Sequence, residues 1–310
     1  MPACPLVTVL LPVWNGASLP LTAGGEEPLR VAIRSLARQE PAPDAPVPSF
    51  EVLAVDDGST DGTAALLDVL AAEHPCLRVL HRPHEGLPGA LNAGLAAARG
   101  ALVARMDADD VCHPQRLALQ AAWMAAHPGT GLLATRVHFG GDRETARGFA
   151  HFVDWQNGLL DHEAISRNRF RDTPVSHPSV MFRRELPRLH GGYADGFFAE
   201  DWELWLRWLH AGVRMACRRN CWSGTIRRAG PPAATAAIAR PPTTGCAPSG
   251  WPAGWSATTP GIRGSICWAR AGWHAAVWHP CGKKACRWPP SWTSIPKRSG
   301  SGCAACRSSA

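Results

Sequence analysis

Two groups of carboxylates follow buried, strand-like segments in this chain of 310 residues. Asp56 and Asp57 lie within FEVLAVDDGSTDGT, and Asp107 and Asp109 lie within ARMDADD. Acids this close together repel one another unless a cation neutralises them. Mg²⁺ and Mn²⁺ prefer oxygen ligands and are often held by one or two carboxylates together with substrate phosphates. Asp107 and Asp109 are therefore candidate metal ligands, and a solvated acidic turn before the next helix is the alternative.

Asp56 and Asp57 allow two interpretations. Asp, Ser and Gly are favoured at turns and helix N-caps, so the segment can be a turn that enters a helix. A cap explains one Asp, but it does not explain three Asp around two glycines. A carboxylate at a strand end can also accept hydrogen bonds from a nucleobase or from ribose hydroxyls. On pattern alone, both interpretations stay open.

A glycine-containing segment, EGLPGALNAG at residues 85–94, lies between the two acidic groups and carries Gly89 and Asn92. Glycine permits close approach of a ligand to the backbone, and a helix N-terminus favours phosphate. The Gly-Lys-Ser/Thr ending of a Walker motif is missing, so this is not that type of loop. We expect Gly89 and Asn92 to contact a nucleotide, with an ordinary structural loop as the alternative.

A third acidic group, Glu200 and Asp201, precedes an apolar segment in which Trp205 and Trp208 have helical spacing. Acids in the first turn of a helix interact favourably with its dipole. The alternative is a general base presented at a cleft. His177, which opens HPSVMFRR, is expected to be structural more often than catalytic.

The elements that must position these groups alternate between strand and helix. Buried strands are predicted at Val7–Val13, Phe50–Val55, Leu77–Leu80 and Ala101–Met106, and helices at Leu29–Gln39, Thr63–Ala72, Gly89–Arg99 and Pro114–Ala126. This alternation indicates an α/β fold with a mostly parallel sheet and helices on both faces. Ligands of such sheets bind beyond the carboxyl ends of the strands, where the first two acidic groups lie.

The composition changes sharply near residue 216. All 25 Asp and Glu precede it, whereas residues 217–310 hold 13 of the 32 Lys and Arg, 8 of the 14 Trp and 8 of the 11 Cys, and no Leu. So few core-forming residues cannot offset the chain entropy of folding. We therefore predict a catalytic domain at 5–216 and a non-globular tail at 217–310. The tail is interpreted as disordered or as the product of a shifted reading frame, because GC-rich DNA read out of frame yields Arg, Pro, Ala, Gly, Cys and Trp.

Two alternatives for the tail stay open. Cys303 and Cys306 have the C-x2-C spacing of zinc sites, but no second pair has it. The second alternative is that the tail is a natural basic linker, although its repeated Trp residues are unusual for a disordered segment.

Several function classes are excluded by charge and hydropathy. The formal net charge of +7 and the pI of about 9.0 come from the tail, so they do not indicate a nucleic-acid partner. No unbroken apolar run reaches membrane-spanning length, and the first residues lack the features of a secretory leader. Cys4, Cys76 and Cys112 lack partners at useful spacings and fit a reducing compartment. We expect a cytoplasmic protein with at most peripheral membrane association.

Seven segments, taken in order, resemble the family 2 glycosyltransferases of the GT-A fold. They are VTVLLPVWNGA, VAIRSLARQ, FEVLAVDDGSTDGT, GLPGALNAGLAAARG, ARMDADD, HPSVMFRR and GGYADGFFAEDWELWLR. The match covers residues 5–215. It implies an inverting, metal-dependent sugar transferase of cell-envelope polysaccharide synthesis. The expected donor is a nucleotide sugar, with UDP the expected nucleotide, and the expected acceptor is a hydroxyl of a glycan, a lipid-linked glycan or another molecule.

The resemblance also implies roles on the donor side. Pro12, Trp14 and Asn15 match positions that edge the nucleotide pocket. Asp56 and Asp57 resemble acids that contact the nucleoside, one of them reading the base.

The implied roles at the reacting centre fall on the other two acidic groups. Asp107 and Asp109 match the Asp-X-Asp pair that holds Mn²⁺ or Mg²⁺ on the donor diphosphate, so Asp107 also counts among the donor-binding residues. Asp201 matches the catalytic base of inverting members, and Glu200 is the second candidate.

Three features depart from the family pattern. The connections at 17–28 and 40–49 are longer than usual, and no Gln-x-x-Arg-Trp motif follows Asp201, so processive polymer synthesis is not predicted. The tail replaces the region where family members complete the acceptor side. An inactive or binding-only relative therefore remains an alternative, and a nucleotidyltransferase, which also uses acids and a metal on an α/β sheet, is another.

Overall fold

The computed structural model describes residues 4–226 and two short strands at Ser265–Trp268 and Ala276–His279. For residues 219–226 and for these two strands, only the backbone is described. Most of the predicted tail, including Cys303 and Cys306, lies outside the described residues. The predictions of a frameshift product, a linker or a zinc module therefore stay predictions.

The described elements include all the strands and helices predicted from the sequence, with ends moved by no more than three residues. The strands are β1 Val7–Val13, β2 Phe50–Asp57, β3 Leu77–Arg82, β4 Leu102–Arg105, β5 Val111–Cys112, β6 Leu132–Phe139, β7 Met181–Arg183, β8 Met215–Ile226, β9 Ser265–Trp268 and β10 Ala276–His279. The helices are α1 Pro28–Ala37, α2 Thr63–Glu73, α3 Gly86–Ala97, α4 Arg116–Ala126, α5 Arg147–Gly158, α6 His162–Asn168, α7 Glu185–His190 and α8 Glu200–His210.

Strands β1 to β8 form one mixed sheet in the order β3-β2-β1-β4-β7-β6-β8-β5. The first four in this order are parallel. Strand β7 is antiparallel to both β4 and β6, whereas β8 is parallel to β6 and β5 is antiparallel to β8. The prediction of a mostly parallel α/β sheet is confirmed. The carboxyl ends of β1, β2 and β4 consequently meet at one edge of the sheet.

Both faces of this sheet are covered by helices. All seven residues of β1 are buried, which explains its unbroken apolar sequence. Successive side chains of a strand point to opposite faces, so Val9 and Leu11 pack with Ile33 of α1. Leu10 points the other way and packs with Leu91 of α3. Two core clusters, one on each face, therefore hold the strand ends in place.

Strand β8 continues past the composition change at residue 216. Its backbone pairs with β6 from Leu132↔Met215 to Phe139↔Ile226, with register shifts after Thr135. Cys217 is 8% exposed and belongs to the core. The predicted domain boundary thus falls within a strand of the sheet, because a ladder of backbone hydrogen bonds depends little on side-chain composition.

Helix length also bears on membrane association. The longest helices of the described chain, α3 and α5, have 12 residues each. A bilayer core requires about 20 apolar residues in a helix. In the part of the chain that the structure describes, no helix has the length and apolar character to cross a membrane.

Candidate active site

The sequence placed Asp56 and Asp57 in the turn after β2, and this was wrong: they are the last two residues of the strand itself. They pair in register with His81 and Arg82 of β3. Both aspartates are only 3% exposed. The turn begins at Gly58, whose φ of 65° is one that favours glycine. The strand extends because the basic residues of β3 offer the two buried carboxylates partners of opposite charge.

Asp57 is bound on several sides by the segment that leads into α3. Arg82 Nη1 lies 3.0 Å from its Oδ1, and the backbone N–H groups of Glu85 and Gly86 donate to it over 3.1 and 2.8 Å. The Nδ1 of His84 lies 2.8 Å from Oδ2. A carboxylate at a helix N-terminus is favoured by the helix dipole. Asp57 therefore fixes the start of α3 against β2.

Asp56 has its own set of partners. It accepts a hydrogen bond of 3.1 Å from the backbone N–H of Ser59, and its Oδ2 lies 2.9 Å from His81 Nδ1. Hydrogen bonds to Asp56 and then to Asp68 raise the pKa of His81 above its ordinary value.

Trp14 and Asn15 lie where β1 ends, next to this acidic pair. The Trp14 ring is 49% exposed and stacks on the ring of His84, with centroids 4.9 Å apart and planes at 21°. Asn15 adopts a left-handed φ of 51° and accepts a hydrogen bond of 2.8 Å from the N–H of Thr60. Pro12 is buried within β1. The structure thus brings Pro12, Trp14, Asn15 and the acidic pair to the same edge of the sheet.

Gly89 and Asn92 both lie in α3, which begins three residues earlier than predicted. A Cβ at Gly89 would lie 2.9 Å from Nη1 of Arg82, so this position is tightly packed. The Asn92 amide makes two hydrogen bonds to the backbone of Tyr193, its Nδ2 donating to the carbonyl over 2.8 Å and its Oδ1 accepting from the N–H over 2.9 Å. Asn92 therefore joins α3 to the loop before α8.

Asp107 and Asp109 lie just beyond β4. Asp107 forms an ion pair with Arg105, whose side chain is only 3% exposed, whereas the Asp107 side chain is 38% exposed. The backbone N–H of Asp110 donates to the carbonyl oxygen of Asp107 over 3.3 Å, which closes a tight turn. The turn directs Asp107 towards solvent at the edge of the sheet.

This donor set fits one kind of metal site. Among the described residues, no group of three or more His, Cys, Asp or Glu is arranged to hold a metal ion. One or two carboxylates suffice when phosphates supply further oxygen ligands. Arg105 contacts Oδ1 of Asp107, and the Asp107 side chain is 38% exposed. The residues therefore fit a divalent cation shared with a phosphate ligand.

Glu200 and Asp201 are the first two residues of α8, and their surroundings shift their pKa values in opposite directions. Burial, together with the negative charge of Glu200, raises the pKa of Asp201 to about 7. Burial is the largest influence on Glu200 and acts to raise its pKa, but the hydrogen bond from His177, the positive charge of Arg105 and a backbone hydrogen bond together lower the pKa below its ordinary value. Two adjacent carboxyls with divergent pKa values suit one charged residue and one proton-transferring residue.

Three residues that the sequence analysis did not select complete this region: Arg105, Thr173 and Tyr193. The Thr173 hydroxyl lies 3.4 Å from Oδ2 of Asp201, and the Tyr193 hydroxyl lies 2.9 Å from Nε2 of His177. Arg105 is a charged residue in an otherwise apolar strand, and Tyr193 is the only tyrosine of the chain. These two signals were present in the sequence, whereas Thr173 carried none.

The family model described as "Glycosyl transferase family 2" matches residues 8–187, which is more than half of the chain. Among curated proteins, the chain is 30% identical over 172 residues to the amylovoran biosynthesis glycosyltransferase AmsE of Erwinia amylovora, covering 54% of this chain and 60% of that protein. It is also 30% identical over 188 residues to an Escherichia coli UDP-Gal:alpha-D-GlcNAc-diphosphoundecaprenol beta-1,3-galactosyltransferase. This match covers 59% of this chain and 63% of that protein. The chain thus spans about three fifths of the length of these two relatives.

A solved structure supports the fold. The mannosyltransferase PcManGT from Pyrobaculum calidifontis, in complex with GDP-Man and Mn²⁺, superposes with a TM-score of 0.53 at 22% identity, covering 73% of this chain and 57% of that one. At this identity the likeness concerns the fold alone. The predicted GT-A fold is confirmed.

Proposed function

Because the chain belongs to glycosyl transferase family 2, we propose that it transfers a sugar from a nucleotide-sugar donor to an acceptor hydroxyl, with inversion of the anomeric carbon. The observation that carries the proposal is the convergence of two carboxylate groups on one buried arginine. Arg105 forms an ion pair with Asp107, and its charge also acts on Glu200 and Asp201. Donor-side and acceptor-side chemistry can therefore meet at the end of β4.

The donor's nucleoside is assigned to the ends of β1 and β2. The exposed face of Trp14 offers a surface for stacking a base. Asp56 and Asp57, which already accept hydrogen bonds within the protein, lie at the adjoining end of β2. Asn15 shapes the adjoining loop, and Gly89 allows the first turn of α3 to lie close to Arg82. A UDP-sugar is the donor we propose, and the UDP-Gal in the name of the E. coli relative supports it.

The donor's diphosphate is assigned to Asp107 and Asp109, which would hold Mn²⁺ or Mg²⁺. A bound divalent cation supplies positive charge that stabilises the negative charge developing on a leaving diphosphate. The Mn²⁺ complex of the P. calidifontis structure supports this choice of cofactor. Arg105 orients Asp107 through their ion pair.

Asp201 is the proposed base. Its pKa of about 7 places a substantial ionised fraction near neutral pH, which suits a general base. The carboxylate takes the proton of the acceptor hydroxyl as that oxygen bonds to the anomeric carbon. The bond from that carbon to the diphosphate oxygen breaks on the opposite face, which inverts the configuration and releases a nucleoside diphosphate. The transition state has oxocarbenium character, by analogy with glycoside hydrolysis.

The acceptor is proposed to be a glycan or a lipid-linked glycan of a polysaccharide pathway. The E. amylovora and E. coli relatives support this class, since the first is named for amylovoran biosynthesis and the second for a diphosphoundecaprenol acceptor. A lipid-linked acceptor would bring residues 5–216, the proposed catalytic domain, to a membrane surface.

The test uses the purified full chain with Mn²⁺, a panel of nucleotide sugars, and glycan and lipid-linked acceptors. Release of a nucleoside diphosphate, abolished in Asp107→Ala and in Asp201→Asn, is the expected result. Release of pyrophosphate from a nucleoside triphosphate would instead identify a nucleotidyltransferase. Thermal stabilisation by a nucleotide sugar without any turnover would identify a binding-only protein.

A further inference from the structure

Tyr193 is held at both its backbone and its hydroxyl. Its backbone N–H and carbonyl are bonded to the amide of Asn92 in α3, at 2.9 and 2.8 Å. Its side chain is 5% exposed, and its hydroxyl lies 2.9 Å from Nε2 of His177. The neighbouring loop is closely fitted, since a Cβ at Gly192 would lie 2.4 Å from Oδ1 of Asn92. The position of the phenol is therefore set from α3.

His177 extends this arrangement to Glu200. The imidazole is 7% exposed, and its Nδ1 lies 3.4 Å from Oε1 of Glu200. Burial, together with the positive charge of Arg105, lowers the pKa of His177, and burial raises that of Tyr193. A neutral imidazole has one acceptor nitrogen and one N–H. The partners assign a single direction: the Tyr193 O–H donates to Nε2, and Nδ1–H donates to the Glu200 carboxylate.

We propose that Tyr193 and His177 are positioning residues for sugar transfer: through Glu200 they fix the first turn of α8 so that Asp201 faces the acceptor hydroxyl. We call Tyr193, His177 and Glu200 the Tyr193 network. The inference rests on the proposed role of Asp201 as base. Neither Tyr193 nor His177 needs to touch substrate, since each acts through its neighbour.

The geometry favours this role over simple core packing. Glu200 directly precedes Asp201, so a displaced Glu200 carboxylate moves the helix turn that carries the base. The network also ties that turn to α3, whose N-terminus lies beside Asp57 on the donor side. The donor-side helix α3 and the first turn of α8 are thereby held in a fixed position relative to each other. Misplacing a reacting group by about 1 Å can cost roughly a hundredfold in rate.

The first experiment compares Tyr193→Phe with Thr8→Val in the full chain. Tyr193→Phe removes only the hydroxyl that faces His177. Thr8 is also buried, near the start of β1 and away from the site. Its hydroxyl donates to Glu51 over 2.7 Å and accepts from the N–H groups of Arg99 and Gly100 over 3.1 and 2.8 Å, so Thr8→Val removes buried hydrogen bonds without touching this network. We expect kcat to fall about tenfold in Tyr193→Phe with KM for the donor unchanged. Thr8→Val is expected to lower the melting temperature and to leave kcat within twofold of the native value.

The second experiment tests whether the residues act as a unit. His177→Asn retains an N–H near the position of Nδ1 and is expected to keep more activity than His177→Leu. Adding Tyr193→Phe to His177→Leu is expected to cause no further loss of kcat, because the hydroxyl acts through the imidazole. Native kcat in folded Tyr193→Phe and His177→Asn would overturn the proposal. So would fully additive losses in the double variant.

A third measurement separates this inference from the proposed function. Imidazole ¹⁵N spectra, assigned with His177→Asn, are expected to show the Nδ1–H form of His177 in the native chain and to lose that preference in Tyr193→Phe. A native chain that transfers no sugar refutes the proposed function, while these spectra still decide whether the network exists. If the native spectrum shows the Nε2–H form of His177, the proposed hydrogen-bond arrangement of the Tyr193 network is refuted, whatever the activity of the chain.

Discussion

The hydroxyl of Thr173 lies 3.4 Å from Oδ2 of Asp201, and it lies equally far from the carbonyl oxygen of Val175, so the two oxygens share one donor. The contact with Asp201 favours the ionised carboxylate and so opposes the burial that raises the pKa of Asp201 to about 7. Removing it in Thr173→Val should raise that pKa further. The acidic limb of the kcat–pH profile is therefore expected to move to higher pH. Thr145→Val, which removes an exposed hydroxyl bonded to the Asp142 carbonyl, is the matched control. A limb that stays in place or moves to lower pH would contradict the assignment of Asp201 as base.

Asp201 should make stability depend on pH. Its folded-state pKa of about 7 exceeds the ordinary value of 3.8, so the folded state retains a proton that the unfolded state has lost. The free energy of unfolding attributable to this group is complete below pH 3.8 and is lost as pH rises through about 7. Asp201→Asn should therefore become progressively more stable than the native chain over this window, while losing activity.

Urea unfolding at several pH values measures this difference. Asp195→Asn, an exposed position in the loop before α8, serves as the control and should show a constant difference. If the Asp201→Asn difference also stays constant with pH, the carboxyl is not a buried acid with a raised pKa.

Asp107 and Asp109 should determine the dependence on metal. We expect EDTA to abolish activity and Mn²⁺ to restore it. In Asp107→Asn and Asp109→Asn, the Mn²⁺ concentration for half-maximal activity should rise by about tenfold or more, because even residues that only support metal ligands cost about ten- to a hundredfold when changed. Asp154→Asn breaks the exposed ion pair with Arg143 and should leave that concentration unchanged. Full native activity in EDTA would count against a metal-dependent mechanism.

Trp14 should contribute to donor binding through its exposed ring face. Trp14→Ala is expected to raise KM for the nucleotide sugar with a smaller effect on kcat, and Trp14→Phe should recover much of the loss because a ring remains for stacking. Trp123 in α4 forms a similar stack with His127, with ring centroids 3.9 Å apart and ring planes at 11°. Trp123→Phe is the control and should not alter KM. Equal KM values for Trp14→Ala and the native chain would remove Trp14 from the nucleotide pocket.

Gly94 and Gly148 offer a matched pair of helical glycines. A Cβ at Gly94 in α3 would lie 2.1 Å from Cδ1 of Leu10 and 3.0 Å from Cγ2 of Val55, whereas a Cβ at Gly148 in α5 would meet nothing within 4 Å. Overpacking typically costs about 1–3 kcal/mol, so Gly94→Ala should be destabilising by about that amount. Gly148→Ala should stabilise by about 0.5–1 kcal/mol. Chemical denaturation measures both, and equal effects would mean that α3 does not pack on β1 as described.

The strands and helices of the first half were predictable because local patterns encode them. The unbroken apolar run of β1 follows from burial on both faces, and the helical spacing in α1 follows from one buried side. The two acidic groups were expected at strand ends, and the Asp56–Asp57 and Asp107–Asp109 groups do lie at the ends of β2 and β4. The extension of β2 through Asp57 was not predicted, because its cause is pairing with basic residues of β3, which are distant in sequence.

Local sequence patterns were sufficient to identify the family, the α/β class and the placement of carboxylates at the carboxyl ends of β2 and β4. Which side chains meet around Asp201 depends on contacts between segments that are distant in sequence. Strand β7 inserts antiparallel beside β4, so the N–H of Arg105 bonds to the carbonyl of Val180 over 2.9 Å, and this brings the His177 segment to the arginine. Local periodicity specifies which face of an element is buried. It carries no information about sheet order, and sheet order is what brings Arg105, His177, Tyr193 and Glu200 together.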